Sequence, residues 1–99
     1  MEQALKIFWS RLALGDLDRF VEFLEPTSPR LAQIIPAELV KRVDLVSKNP
    51  HVGRALDETG AFRQVVVQVL GAAYVIRYEV AADAVIILRV FHGREHREP

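Results

Sequence analysis

The spacing of apolar positions changes twice along the chain, near residue 11 and near residue 61. Residues 4–10 alternate between an apolar and a more polar side, which is the pattern of a strand. From Arg11 to Leu24 the apolar positions recur every three or four residues, as in an amphipathic helix. Ser10 precedes this stretch and is a suitable N-cap. The first quarter of the chain is therefore predicted to be a strand followed by a helix.

A second helix is predicted to begin at Pro29, because Ser28 can cap it and proline suits the first helical position. Its apolar stripe continues to about Ser47. Pro36 lies inside it and has no amide hydrogen, so we expect a kink or a restart of the helix there. Residues 54–60 are predicted to form a loop.

The last forty residues predict three strands, Phe62–Leu70, Ala73–Val80 and Ala84–Phe91, joined by turns at residues 71–72 and 81–83. Such short connections make neighbouring strands antiparallel. The predicted order is β-α-α-β-β-β. This is an α+β fold with a helical hairpin on one face of a mainly antiparallel four-stranded sheet, and we expect residues 1–99 to form one domain.

Strict alternation divides the late strands into two faces. The face expected to lie under the helices is almost entirely apolar: Val65, Val67, Val69, Tyr74, Ile76, Tyr78, Val80, Ile86, Leu88 and Val90. The opposite face, called here the open face, mixes apolar, amide and charged side chains: Gln64, Val66, Gln68, Val75, Arg77, Glu79, Val85, Ile87, Arg89 and Phe91.

Two helices can cover only one face of this sheet, so we expect a partner to cover the open face. Its predicted contact residues are Val66, Val75, Arg77, Val85, Ile87, Arg89 and Phe91. On this interpretation, charge reversal at Arg89 weakens binding and leaves the fold intact. The alternative is an ordinary half-exposed face with scattered apolar side chains.

Composition narrows the possible functions. The 99 residues include 13 Lys and Arg, 13 Asp and Glu, and no Cys. The balanced charge excludes a generally basic coat for nucleic acid, so we expect no direct sequence-specific binding to it. Without Cys there is no disulfide, thiolate nucleophile or thiolate zinc site. The start of the chain lacks a signal pattern, and the most apolar stretch, residues 65–76, is interrupted by Gln68 and Gly71 and is too short for a membrane helix. We therefore expect a cytoplasmic protein without membrane contact.

Three segments carry a resemblance to a known family. They are residues 9–17, with Trp-Ser at the start and Asp-Leu at the end; the loop Asn49–Arg54; and the run from Tyr74 to Arg94, which closes with Leu-Arg-Val-Phe-His-Gly-Arg. Together they resemble the ParE branch of the RelE/ParE toxin superfamily. The resemblance implies the toxin of a bacterial toxin–antitoxin pair, neutralised by a small antitoxin that wraps around it. ParE-like members are associated with poisoning of DNA gyrase, and RelE-like members with cleavage of messenger RNA on the ribosome.

A site that cuts RNA needs a base, cationic groups for the phosphate and an acid for the leaving oxygen. The candidates here are Arg77, Arg89, His92 and Arg94. RelE-like nucleases resemble one another in a Lys/Arg-rich site, whereas all three lysines of this chain fall in its first half. We expect His92 to be a hydrogen-bonded structural residue, and Glu79 to pair with one of the arginines as an alternative to an anion site.

No cofactor and no metal site are predicted. The chain has no Gly-rich phosphate loop, and the spacing of His92 and His96 is interrupted by Gly93. The leading hypothesis is a toxin that binds a host target, DNA gyrase, and forms a hetero-oligomer with a ParD-like or related cognate antitoxin. The alternatives are a RelE-like ribosome-dependent mRNA endoribonuclease and a degenerate homologue that retains only antitoxin binding.

Overall fold

The computed structural model describes residues 5–95 and shows two helices packed on a five-stranded sheet. The elements are β1 Lys6–Trp9, α1 Arg11–Leu24, α2 Pro29–Lys48, β2 Arg54–Ala55, β3 Phe62–Val69, β4 Ala72–Val80 and β5 Ala84–His92. The strand order is β1-β5-β4-β3-β2; β1 runs parallel to β5, and the other neighbours are antiparallel. The predicted α+β fold is confirmed, with one additional strand.

Both helices begin where the serine caps predict. The Ser10 hydroxyl accepts a hydrogen bond from the Ala13 amide at 3.0 Å, and the Ser28 hydroxyl accepts one from the Leu31 amide at 3.3 Å. The second helix runs without a break through Pro36, so the predicted restart is wrong. Its buried stripe continues on both sides of the proline and packs on the core, which offsets the one hydrogen bond that proline removes.

The segment predicted as a loop contains the short strand β2, so that prediction is wrong for two residues. Arg54 pairs with Gln64 and Ala55 with Arg63. The preceding turn is tied to β4, because the Tyr78 hydroxyl donates to the Pro50 carbonyl at 2.8 Å and accepts from the Gly53 amide at 2.9 Å. Burial raises the pKa of Tyr78, which keeps this hydroxyl protonated.

A β-bulge in β5 overturns part of the predicted face assignment. Arg77 pairs with Arg89, whereas the next residue, Tyr78, pairs with Ile87, so Leu88 is an extra residue in β5. The alternation of β5 is inverted before the bulge. Val85 and Ile87 are fully buried in the core beneath the helices, and their predicted place on the open face is wrong. Ile86 and Leu88, which were predicted to lie in that core, are half-buried and lie outside it.

The main core lies between the helical hairpin and the sheet. It consists of Ala13, Phe20, Ile35, Leu39, Val43, Val46, Val69, Tyr74, Ile76, Tyr78, Val85, Ile87 and Val90. Each large apolar side chain contributes about 1.5–3 kcal/mol when it is fully buried, so this cluster is the main source of stability. Among residues 5–95, no helix has the length and hydropathy needed to cross a membrane.

The turn between β3 and β4 is displaced by one residue from its predicted position. Val69 pairs with Ala72, so Leu70 and Gly71 form the two-residue turn. Both have positive φ, +50° at Leu70 and +83° at Gly71. This combination is typical of the hairpin turns whose twist matches that of the strands.

Candidate functional site

The outer edge of β5 is sealed by side chains beyond the point where β1 ends. The Ser10 hydroxyl donates to the Leu88 carbonyl at 2.9 Å. Asp16 of α1 is only 2% exposed, and its Oδ2 accepts a hydrogen bond from the Val90 amide at 2.8 Å. Because an edge amide otherwise lacks a partner, the Asp16 carboxylate replaces the neighbouring strand at this position.

Asp16 is also the centre of a chain of charged groups. Arg89 donates to it twice, from Nε to Oδ2 and from Nη2 to Oδ1, both at 2.9 Å. Arg19 bonds to Asp16 Oδ1 at 2.6 Å and to both carboxylate oxygens of Glu95 at 2.9 and 3.1 Å. Glu95 in turn accepts from the His92 amide at 2.7 Å. The cluster joins α1, β5 and the segment after β5.

Two opposing effects set the pKa of Asp16. Burial raises it, whereas hydrogen bonds from Arg89, Arg19 and the Val90 amide lower it. The hydrogen bonds prevail, and the pKa lies below its usual value of 3.8. Asp16 is therefore a carboxylate under all ordinary conditions, and it holds Arg89 in place.

On the open face, two arginines cover the ring of Phe91. The guanidinium carbons of Arg77 and Arg89 lie 5.2 and 4.8 Å from the ring centroid, within the range of cation–π contacts. Arg77 Nε also donates to Gln64 Oε1 at 2.8 Å. Val75 pairs with Phe91, and both are buried although neither belongs to the main core. The chain itself thus covers these two residues, contrary to the expectation that they need a partner.

The exposed apolar side chains of the open face lie elsewhere. Val66 is exposed, as predicted, and Phe8 of β1 is exposed beside Ile86. Phe8 was not among the predicted contact residues. The β1 pattern placed it opposite Leu5, Ile7 and Trp9, and this alternation was the signal that could have identified it.

The four candidate catalytic residues do not converge. Arg77 and Arg89 lie together over Phe91, but His92 lies on the helix side of the sheet, with its ring edge-on to Tyr74 at 5.2 Å. His92 Nδ1 accepts from the Arg94 amide at 3.1 Å, which confirms a hydrogen-bonded histidine at the strand end. Arg94 is exposed on that same side. His96 lies outside the described residues.

A groove that the sequence did not reveal lies on the helix side of the sheet. It has a volume of about 630 Å³ and lies between the end of α1, the start of α2 and the β3–β4 turn. Its apolar lining consists of Phe20, Phe23, Leu24, Leu31, Ile35, Val69, Leu70, Ala72 and Tyr74; Arg19, His92, Arg94 and Glu95 provide polar groups. Both helices, the strands β3, β4 and β5, and the segments next to them build this groove, so no single stretch of sequence carries its pattern.

Comparison with known proteins identifies the family to which this chain belongs. The profile of the ParE toxin of type II toxin–antitoxin systems, parDE, matches residues 7–97. The chain belongs to the ParE toxin family. The match includes every helix and nearly every strand residue described above, and it confirms the resemblance predicted from sequence.

This ParE-family chain is also similar to two named relatives and to one solved structure. It is 31% identical over 85 residues to toxin RelE1 of Caulobacter vibrioides, covering 86% of this chain and 89% of the relative. It is 33% identical over 88 residues to toxin RelE2 of the same organism, covering 89% and 94%. A chain of the chromosomal ParDE toxin–antitoxin system from P. aeruginosa superposes with a TM-score of 0.71 at 21% identity, covering 90% and 96%, and it shares the fold.

Proposed function

We propose that this ParE-family toxin acts in the cytoplasm by binding DNA gyrase and is neutralised by a cognate antitoxin. The observation that supports a binding mechanism is the ion pair between Arg89 and Asp16. An RNA-cutting site needs a guanidinium that can bind phosphate, but Arg89 already bonds a buried carboxylate at two points. His92, the best candidate for proton transfer, lies on the other side of the sheet.

The groove between the helices and the β3–β4 turn is the proposed site for the antitoxin. Its lining is mostly apolar, and Phe23 and Leu70 at its margin are exposed although they are large and hydrophobic. Exposed apolar surface of this kind is typical of a surface that binds a protein segment. The structural neighbour belongs to a ParDE system, which supports a ParD-like antitoxin and a hetero-oligomer.

The open face is the second proposed interaction surface and contacts the target. Val66 and Phe8 provide exposed apolar area, and Arg77 and Arg89 present guanidinium edges around Phe91. Arginine and aromatic side chains are frequent anchors of protein interfaces. Val85 and Ile87 belong to the core and are not part of this surface.

The experiment is induction of the chain alone in bacteria, with DNA integrity and transcript integrity measured in parallel. Gyrase poisoning predicts chromosome breakage and filamentation with intact transcripts, and co-expression of a cognate ParD-like antitoxin restores growth. In vitro, the purified chain should inhibit supercoiling by gyrase. Normal growth and an unaffected gyrase would contradict the proposal.

The second candidate is a RelE-like ribosome-dependent mRNA endoribonuclease. Both named relatives are RelE toxins, and Arg77 and Arg89 form a cationic pair on one face of the sheet. This candidate predicts cleaved messages soon after induction, with intact chromosomes. Arg77→Ala would then abolish the cleavage.

A further inference from the structure

Leu70 has a backbone conformation that its side chain disfavours. Its φ is +50°, and among residues 5–95 it is the one non-glycine residue with positive φ. In a two-residue turn with positive φ at both positions, asparagine followed by glycine is the preferred pair, because a bulky Cβ substituent crowds the backbone there. Gly71 fits its position, whereas Leu70 is strained.

Packing within the chain does not account for a leucine at this position. The residue is 65% exposed, so most of its side chain gains nothing from burial. Backbone strain of this kind occurs mainly at binding and catalytic sites. A residue that is both strained and exposed therefore points to a contact made with another molecule.

Leu70 lies at the margin of the apolar groove. Phe23, which is 79% exposed, lines the same groove from α1, and Tyr74 is one of the buried residues of its wall. The two exposed side chains thus come from two different elements that border the groove, α1 and the β3–β4 turn. Both are placed to contact whatever segment enters it.

The polar end of the groove indicates the chemistry of that segment. Arg19 and Arg94 lie there with one groove-lining carboxylate, Glu95. Arg19 bonds to Glu95 and Asp16, and Arg94 is exposed. Because two carboxylates already balance Arg19, the exposed Arg94 is the group of this end that favours a segment with a carboxylate next to apolar side chains.

We propose that Leu70 is a specificity-determining contact for the antitoxin. The strained turn places its side chain, together with that of Phe23, in contact with an apolar antitoxin segment that carries a carboxylate. The inference rests on the proposed neutralisation by an antitoxin. It adds a residue, a chemical class of ligand and a reason for the strain.

The test is Leu70→Asn in the full chain. Asparagine accepts positive φ, so the midpoint of thermal unfolding should rise by about 4–8 °C. Affinity for a purified cognate ParD-like antitoxin, measured by calorimetry, should fall about tenfold or more. A purely structural residue would not improve stability and impair binding together.

The matched control is Val52→Asn, which makes a similar change at an exposed aliphatic residue outside the groove. It should leave affinity within about twofold. Phe23→Gln should weaken binding with little change in stability, because the side chain is exposed.

The outcomes separate the two proposals. If the unaltered chain does not bind the antitoxin, the proposed neutralisation fails. If it binds and Leu70→Asn binds equally well, neutralisation stands and the role of Leu70 is refuted. A lower unfolding temperature for Leu70→Asn refutes the strain argument. If sedimentation shows that the free chain dimerises and that Leu70→Asn prevents this, the groove holds a second copy and the inference is wrong.

Discussion

Arg89 and Asp16 form a two-point ion pair that joins the last strand to the first helix, with both N–O distances at 2.9 Å. Asp16 also receives the Val90 amide and Arg19, so a single buried carboxylate has four hydrogen bonds. Charge-assisted hydrogen bonds are stronger than neutral ones, and removal of either arginine would leave the buried Asp16 carboxylate with less compensation. At Val90, the edge of β5 therefore depends on this side chain.

Asp16→Asn should destabilise the fold by about 2–3 kcal/mol, because it removes the charge that balances Arg89 and Arg19. Both arginines retain some solvent contact, which keeps the loss below that of a fully buried pair. Urea unfolding measures the change in free energy. Asp18→Asn, an exposed position on the same helix, is the control and should be nearly neutral. Equal losses of stability in both variants would contradict the role of Asp16 as the carboxylate that balances Arg89 and Arg19.

Stability should depend on pH through Asp16. Its pKa is lower in the folded chain than in the unfolded chain, where it is close to 3.8. The unfolded state thus takes up the proton first, and the stabilisation is present above about pH 4 and lost as the pH falls through the folded pKa. Urea unfolding between pH 3 and pH 7 should show this loss, and it should be smaller in Asp16→Asn. Identical pH profiles would exclude Asp16 as the cause.

Arg89→Glu should destabilise the fold, which revises the expectation that charge reversal at this position is tolerated. The new carboxylate would face the buried Asp16 at the distance of a hydrogen bond. We expect the unfolding midpoint to fall by more than about 8 °C. Arg89→Lys keeps the charge but loses the two-point geometry, and should show a smaller loss. An unchanged midpoint for Arg89→Glu would be incompatible with the ion pair.

The β-bulge makes Ile86 and Ile87 a sensitive test of the face assignment. Ile87→Asp places a charge in the main core and should prevent folding. Ile86→Asp places the same charge on the half-buried open face and should yield a folded, less stable protein. Circular dichroism and thermal unfolding distinguish the two. If Ile86→Asp prevented folding and Ile87→Asp folded, the side chains of β5 would alternate without a bulge.

Two glycines should respond to alanine in opposite directions. A Cβ at Gly53 would lie 2.5 Å from the Tyr78 hydroxyl oxygen, so Gly53→Ala displaces that hydroxyl and breaks its two hydrogen bonds. We expect a loss of about 1–3 kcal/mol, similar to that of Tyr78→Phe. Gly15 has open space around its Cβ position within α1, and Gly15→Ala should stabilise by up to about 1 kcal/mol. If both variants changed the free energy of unfolding in urea equally, the close approach of residue 53 to the Tyr78 hydroxyl would be refuted.

The sequence predicted those features that depend on local patterns. The serine caps, the start of α2 at Pro29 and the long strands follow from spacing and turn chemistry, and the structure confirms them. The bulge was missed because Val85–Leu88 is apolar at every position, so a change of face leaves no trace in the pattern. The short strand β2 offers too few residues for any alternation.

The site was less predictable than the fold for a related reason. Periodicity shows which side of a strand a residue occupies, but not which residues meet from distant parts of the chain. Asp16 is 73 residues away from Arg89, and it reads as an ordinary polar position of an amphipathic helix. Only the packing of α1 along the β5 edge brings them together.

The sealed edge of β5 also limits how copies of this protein can aggregate. Open strand edges allow backbone pairing between molecules and growth into extended sheets. Here an incoming strand would have to displace Asp16 from the Val90 amide and Glu95 from the His92 amide, breaking charge-assisted bonds to do so. The part of β5 that extends beyond β1 therefore resists backbone pairing with a second copy.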